Sequence, residues 1–510
     1  MNISLLLDMA ADGFGDRVLV GRKAAGLTGR RVRRLSIGGA RLIRSAEADS
    51  LVYLGVNGPA FPVALFAAAR AGAALVPLSY RLGAGQLGQL LANHPRALGL
   101  AGPDEIETLR AAGLPALTFD DWLAAAGHGE DDEGEDDEPE AEPQAPAVLI
   151  YTSGTTSAPK GVLVHHANLL AYVFGTVEFD SAQETEAALV SVPPYHIAAV
   201  ANAVTNLYAG RRTVVLEQFT PAEWLDLVRS EEISNALVVP TMLARIIDEA
   251  DEAAQAGHAR AAVPSLRALA YGGAPMPAAV IERALRRWPD VDFVNAYGLT
   301  ETSSTIAVLG PDDHRAALAS DDPAVRARLS SAGRPVPGLE LVIRDASGGA
   351  LPAGAAGRIW VRGDQVSGEY AGSGTAVDAT GWFDTRDEGY LDEDGYLFIG
   401  GRADDTIIRG AENIAPAEIE DVLLAHPAVA DAVVVGIPDE EWGQRIEAAV
   451  VLRGAAAVDQ EQLRAHVRGK LRGSRTPDRI AIWAEIPRTE TGKLVRRQAL
   501  ARLTSEPAGS

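Results

Sequence analysis

Between an apolar run, Ala147 to Ile150, and a segment, Val162 to Tyr172, able to begin a strand and then a helix, the chain reads Tyr151-Thr152-Ser153-Gly154-Thr155-Thr156-Ser157-Ala158-Pro159-Lys160-Gly161. Its hydroxyls, glycines and lysine offer a polyphosphate side-chain donors, open backbone N–H groups and a positive charge. The spacing is not that of the common P-loop, which needs Gly, four residues, then Gly-Lys-Ser/Thr; here the lysine precedes the glycine. A polar surface turn is the competing explanation.

Two further strings carry chemistry. Asn295-Ala296-Tyr297-Gly298-Leu299-Thr300-Glu301-Thr302 supplies an aromatic face for a base, a hydroxyl for a phosphate and a carboxylate for Mg²⁺. Its plain alternative is the start of a helix. Pro487-Arg488-Thr489-Glu490-Thr491-Gly492-Lys493-Leu494 holds a Thr-Gly-Lys that, taken alone, is an exposed turn. Shorter signals accompany them: Pro193-Pro194-Tyr195-His196 after a strand, Tyr271-Gly272-Gly273-Ala274-Pro275 at the end of another, and Asp384-Thr385-Arg386-Asp387 in a turn-rich β segment. Gly400-Gly401-Arg402-Ala403-Asp404-Asp405 and Arg409-Gly410-Ala411-Glu412 follow. Paired glycines at a strand end make a turn and also let a flat ligand lie against backbone.

In this order the strings resemble those of the adenylate-forming enzymes, which include acyl-CoA synthetases, firefly-type luciferases and peptide-synthetase adenylation domains. The fatty-acid–CoA ligase type fits best, over about residues 50 to 500. The first 50 residues are less typical, with only Leu27-Thr28 near the expected helix start. The resemblance implies ATP-dependent activation of a carboxylic acid to an acyl-adenylate with release of pyrophosphate, then transfer to the thiol of coenzyme A. It gives Thr152, Ser153, Gly154, Thr155, Thr156 and Lys160 to the phosphates. It gives Gly273, Ala274, Asn295, Ala296, Tyr297 and Gly298 to the adenine and its surroundings, Thr300 to the α-phosphate, and Glu301 to Mg²⁺. Asp387, rather than Asp384, aligns with the ribose-binding carboxylate, and Arg402 lies near ribose and phosphates. Lys493 is the implied catalytic lysine, bridging carboxylate and α-phosphate oxygens. His196, Ala199, Gly272, Gly273 and Gly298 are implied to form the acyl pocket. Asp404 is the implied hinge, and Arg409, Gly410, Ala411 and Glu412 the loop that enters for thioester formation. Arg386 stands where glycine is common, and Ala411 where the second glycine of that loop is usual.

An amino-acid substrate is disfavoured, because Ile197 to Val204 holds no acid to pair with an ammonium group. That stretch is small and apolar, which suits an alkyl or aryl acid. A free-standing acyl carrier protein is the alternative acceptor. A non-catalytic nucleotide or acyl sensor is a third reading, and retention of Lys493, Glu301 and Arg402 argues against it.

These side chains need a scaffold. Strand-like runs such as Leu51 to Val56, Ala74 to Pro77, Ala187 to Val192, Ala236 to Val239, Leu266 to Tyr271 and Val291 to Tyr297 alternate with helical stretches such as Ala60 to Ala71 and Pro221 to Ser230. Alternation of this kind predicts parallel sheets covered by helices. The expected fold class is α/β. Residues 1–401 form a large N-terminal domain of stacked α/β subdomains, with a β-rich, barrel-like part at about 331–401 that is a small antiparallel barrel or sheet. Residues 402–404 form a hinge, and 405–510 a small, mobile α+β C-terminal domain.

Composition bounds the rest. The chain has 510 residues, 47% of them hydrophobic, and no cysteine, which excludes disulfides and thiolate chemistry. No run of 18 apolar residues appears, and Ile3 to Leu7 has no basic leader, so a cytoplasmic protein without a transmembrane segment is expected. The net charge is −23; Glu130 to Glu142 contributes ten acidic residues, leaving −23 + 10 = −13 elsewhere. Such a field disfavours nucleic acid. The acidic 130–146 stretch reads as a disordered loop. The sequence sets no oligomeric state, and a homodimer is compatible with it.

Overall fold

In the computed structural model, residues 1–128, 145–152, 159–258, 262–402, 405–409, 412–439, 442–454, 458–471, 473–489 and 494–506 are described. The acidic stretch, the hinge residue Asp404 and the loop residues Ser153 to Thr156, Gly410, Ala411 and Lys493 lie outside them.

Two large sheets build the N-terminal part. The first has eight strands, in the order Gly374–Thr375, Glu369–Tyr370, Lys160–His165, Pro146–Thr152, Ala74–Leu78, Ser50–Leu54, Ala97–Ala101, Ala116–Thr118. Its last five strands run parallel. The second has nine, in the order Arg334–Pro335, Ser304–Leu309, Asp292–Leu299, Ala268–Gly272, Asn235–Val238, Ala187–Val190, Arg212–Val215, Val18–Val20, Leu27–Thr28. Its centre, from Asp292–Leu299 to Val18–Val20, is parallel. Strands such as Ser50–Leu54 and Ala187–Val190 are buried along their whole length, as their unbroken apolar runs require when both faces are covered.

The helix Ala60–Ala71 explains how the two sheets join. It is apolar on every side and buried at every residue except Ala71, so it belongs between layers rather than on a surface. Its one charge, Arg70, is 4% exposed and is met by Asp8 and by the Ser36 hydroxyl, so the buried guanidinium is paired. The same core takes in the inner face of the helix Ile197–Ala209.

Residues 331–401 form a four-stranded antiparallel sheet, Glu340–Arg344, Gly357–Arg362, Phe383–Leu391 and Leu397–Arg402. Its order does not close on itself, which selects the sheet from the two forms expected, barrel or sheet. Beyond it, the strands Val429–Asp439, Gly443–Leu452 and Arg479–Ile482 pack with the helices Pro416–Leu424, Gln460–Lys470 and Arg496–Ser505. Thr28 caps the helix Gly29–Ser45, its hydroxyl accepting from Arg31 N at 3.2 Å.

Candidate active site

Parallel sheets gather loops at the carboxyl ends of their strands, and ligands bind there. Here those ends are Val192 to His196 after Ala187–Val190, Val239 after Asn235–Val238, Gly272-Gly273 closing Ala268–Gly272, and the end of Asp292–Leu299. All border one cleft of about 1570 Å³, which also takes in Thr152, Thr300, Glu301 and Arg402.

Strand alternation decides what faces the cleft. Val294, Ala296 and Gly298 line it, two residues apart, while Asn295 and Tyr297 turn away. Asn295 Nδ2 donates to Ser331 O at 2.8 Å instead. Gly298 is needed for close packing, since a Cβ there would lie 1.8 Å from Ser304 O. Gly273 holds φ +79°, a conformation that favours glycine. Ala274 does not line the cleft.

Thr300 to Thr302 is a single tight turn rather than the start of a helix. It is stopped by Ser303 at φ +56° and Ser304 at φ +122°. Gln365, which no motif includes, clamps that turn. Its Nε2 donates to Thr302 O at 3.0 Å and Thr305 O at 2.8 Å, and its backbone carbonyl accepts from the Ser303 hydroxyl at 2.8 Å. The Glu301 carboxylate accepts from the Tyr370 hydroxyl at 2.9 Å. Burial and that neighbouring carboxylate push the Tyr370 phenol up. Lys160 Nζ lies 5.8 Å above the same ring, so Tyr370 stands between the lysine and the carboxylate. Sequence reasoning missed both Gln365 and Tyr370. Each acts across more than sixty residues of chain, and no local pattern marks them.

Asp387 is 5% exposed and engaged on both oxygens. Tyr297 donates its hydroxyl to Oδ2 at 2.5 Å, and Arg402 Nε meets Oδ1 at 2.7 Å. Burial, then the Asp387 charge, raises the Tyr297 phenol well above its usual range. Asp384 instead pairs with Arg358 at 2.8 Å within the sheet. Arg386 adopts φ +62°, so the turn keeps a glycine-like conformation with arginine in place.

His196 stands at the N-terminal boundary of the helix Ile197–Ala209, at the cleft wall, its ring 4.8 Å from that of Tyr195. Ala199 departs from the sequence expectation. It is 2% exposed and faces the core beside Phe61 and Leu207, because its position on the helix points inward. Ala198 and Ala201 hold the cleft side. His165 pairs with Glu369 at 2.9 Å, and His166 is buried.

From the C-terminal part, Arg488, Thr489, Leu494, Val495 and Arg496 border the same cleft. A bridge between Arg488 and Leu494 closes the loop that carries Lys493, so both stems of that loop stand at the cleft. Arg409 does not border it; its guanidinium meets Asp478 at 2.7 and 3.0 Å. Among the described residues no group of three or more His, Asp or Glu could hold a metal alone. Glu301 beside Thr300 fits a cation whose remaining ligands come from phosphate oxygens.

A family model described as "AMP-binding enzyme" matches residues 7–371, and one for the "AMP-binding enzyme C-terminal domain" matches 418–493. The chain belongs to the AMP-binding enzyme family. The match begins well before the residue-50 limit that the motifs suggested. This AMP-binding enzyme is 33% identical over 481 residues to a fatty acid–[acyl-carrier-protein] ligase, ScoC, of Streptomyces coeruleorubidus, covering 91% of this chain and 88% of that one. It is 34% identical over 483 residues to a feruloyl-CoA synthase of Amycolatopsis sp, covering 93% and 92%. Among solved structures, the amide bond synthetase McbA of Marinactinospora thermotolerans superposes with a TM-score of 0.86 at 30% identity, covering 98% and 99%. No helix among the described residues is long and apolar enough to cross a membrane.

Proposed function

We propose that this AMP-binding enzyme is an AMP-forming acid–thiol ligase that activates a carboxylic acid with ATP and passes the acyl group to coenzyme A. One observation carries the reading: His196, the Thr300-Glu301 turn and both stems of the Lys493 loop meet at a single cleft on the carboxyl ends of parallel strands. The cleft wall by His196 receives the acid. Its carboxylate oxygen attacks the α-phosphorus of ATP, and the bond to the pyrophosphate leaving group breaks. Thr300 binds the α-phosphate, Thr152, Ser153, Thr155, Thr156 and Lys160 hold the departing phosphates, and Lys493 stabilises the charge that develops between them. Mg²⁺, held by Glu301, would neutralise phosphate charge when bound.

In the second step the thiol sulfur attacks the acyl carbon, AMP leaves, and the thiol proton passes to solvent. Rotation about Asp404 would withdraw the Lys493 loop and bring in Arg409 to Glu412. The stems of the Lys493 loop at the cleft, with Arg409 held away from it, fit the posture needed for the first step. A reaction that consumes ATP and coenzyme A belongs to the cytoplasm, and we place the chain there. A carrier-protein thiol is the second acceptor to test, since ScoC bears such a name.

Pyrophosphate release is measured with Mg·ATP and a panel of alkyl and aryl acids, with and without coenzyme A. Multiple turnovers that require coenzyme A support the ligase. A single stoichiometric burst indifferent to coenzyme A assigns the thiol to a carrier protein. Absence of release with every acid refutes the reading.

A further inference from the structure

The acyl end of the cleft runs along the helix Ile197–Ala209 as far as Asn206, and its two halves differ chemically. Near His196 the lining residues are Ala198 and Ala201; farther on they are Asn202, Thr205, Asn206 and, past the helix end, Arg211. The opposite wall shows the same change, from Val239 and Val238 down to Asn235 at the start of its strand. From Asn235 to Val239 is four strand residues, or about 13 Å. The strand floor between these walls is small-residued, with Ala268, Ala270 and Gly272 facing the space, so it is open along its length.

The distal groups are ordered. Asn202 Nδ2 donates to Ala198 O at 2.8 Å, Thr205 Oγ1 to Ala201 O at 2.7 Å, and Asn206 Nδ2 to Asn202 O at 2.9 Å. These bonds satisfy donors on the helix itself. They leave the Thr205 oxygen able to accept. The Asn235 Oδ1 accepts from Ser234 at 2.7 Å, which turns its amide nitrogen to donor work. Arg211 gives Nε and Nη2 to Glu186 Oε2 at 3.1 and 3.0 Å, and Nη1 to Asn206 Oδ1 at 3.1 Å. Of five guanidinium N–H groups, two remain for a ligand. Glu186 balances Arg211, the charged group that borders this end of the cleft; its other oxygen lies 3.8 Å from Arg267, whose side chain is exposed and does not line the cleft.

We propose that the acid taken by this cleft is elongated and ends in a neutral hydrogen-bonding group, such as a hydroxyl, bound by Asn202, Thr205, Asn235 and Arg211 about 13 Å from its carboxylate. The proposal rests on the ligase reading. A methyl terminus would strip water from these groups and return no hydrogen bond. A second carboxylate would face Glu186, and an ammonium would face Arg211. A hydroxyl both donates and accepts, which the mixed set of partners needs.

The test compares decanoate, ω-hydroxydecanoate and decanedioate, by kcat/KM for pyrophosphate release and by calorimetric binding to the full chain. The variants are Thr205→Val, which keeps the side-chain volume, and Asn202→Leu. The native enzyme is expected to favour ω-hydroxydecanoate over both others by at least about tenfold, and either variant to shrink that ratio severalfold. If Asn202→Leu does not fold, Thr205→Val carries the comparison. Equal or better use of decanoate by the native enzyme, or an unchanged ratio in a folded variant, overturns the proposal and leaves the ligase reading standing. Selective binding of the hydroxy acid without any turnover supports the polar terminus and defeats the ligase. Neither binding nor turnover defeats both.

Discussion

Replacing Gln365 by leucine is expected to damage stability and catalysis together. The side chain is 5% exposed, and its Nε2 supplies a buried carbonyl, Thr302 O, and a partly buried one, Thr305 O. Leucine is similar in size but donates nothing. An orphaned buried polar group costs about 1–3 kcal/mol, so losing both bonds removes on the order of 2–4 kcal/mol. The strain is local, because Ser303 and Ser304 both sit at positive φ between the two carbonyls that the Gln365 side chain holds, while the bond from the Ser303 hydroxyl to the Gln365 backbone oxygen survives the substitution. Once released, the turn no longer fixes Thr300 and Glu301. A displacement near 1 Å at such groups costs about ten- to a hundredfold in kcat/KM for Mg·ATP. Thermal unfolding and steady-state pyrophosphate release read the two effects. Gln365→Glu keeps the shape but sets a carboxyl group, with at most one donor when protonated, against two carbonyl oxygens, so it too is expected to fall below the native protein in both assays. A leucine variant that melts with the native protein and keeps its KM for ATP would refute the reasoning.

Tyr370→Phe removes the hydroxyl that holds Glu301, and a bond to a partly exposed charge is worth about 1 kcal/mol; KM for Mg·ATP is expected to rise about fivefold, with an unchanged Mg²⁺ titration counting against this role. Arg386→Gly relieves an arginine at φ +62°, and after the extra flexibility of unfolded glycine is counted it is expected to stabilise by up to about 1 kcal/mol; a lowered melting temperature contradicts that strain. Burial, followed by the neighbouring His165, lowers His166 from 6.5 to about 4. Its folded state resists the proton that the unfolded state accepts. Stability present above pH 6.5 is therefore lost as pH falls toward 4, by about 3 kcal/mol at the lower limit. In His166→Gln the melting temperature should fall less steeply between pH 7 and 5, and parallel curves for the two proteins would dismiss the histidine.

Much of the scaffold was legible because buried parallel strands write themselves as unbroken apolar runs. Ser50–Leu54, Ala187–Val190 and Asn235–Val238 lie where such runs stood. The turn-rich 331–401 segment announced short strands, but closure into a barrel depends on pairing order, which local composition does not encode. Where the motif is local the sequence led to the cleft: Thr300, Glu301 and His196 border it. It was misread where direction decides. Ala199 follows Ala198 in the chain yet faces the core, since adjacent helical residues point about 100° apart. Asn295 and Tyr297 turn away from the cleft for the corresponding reason in a strand. The stretch Ile197 to Val204 reads as small and apolar; Thr205, Asn206 and Arg211, beyond it, become neighbours of the cleft only because the helix carries them there.

The strand Glu369–Tyr370 pairs antiparallel with Lys160–His165, joining residues 204 positions apart through His165 and Glu369. During synthesis at 5–20 residues per second, the lysine-bearing strand waits about 10–40 s for that partner. Until then it is the open edge of a growing sheet, with unpaired N–H and C=O groups that invite another chain. A nascent polypeptide halted between the two strands should therefore associate with its neighbours on the ribosome, whereas one released after residue 375 should not. The lysine–tyrosine–glutamate contact is thus also a late event in the birth of the molecule, and premature termination upstream of it yields an adhesive product instead of a shorter enzyme.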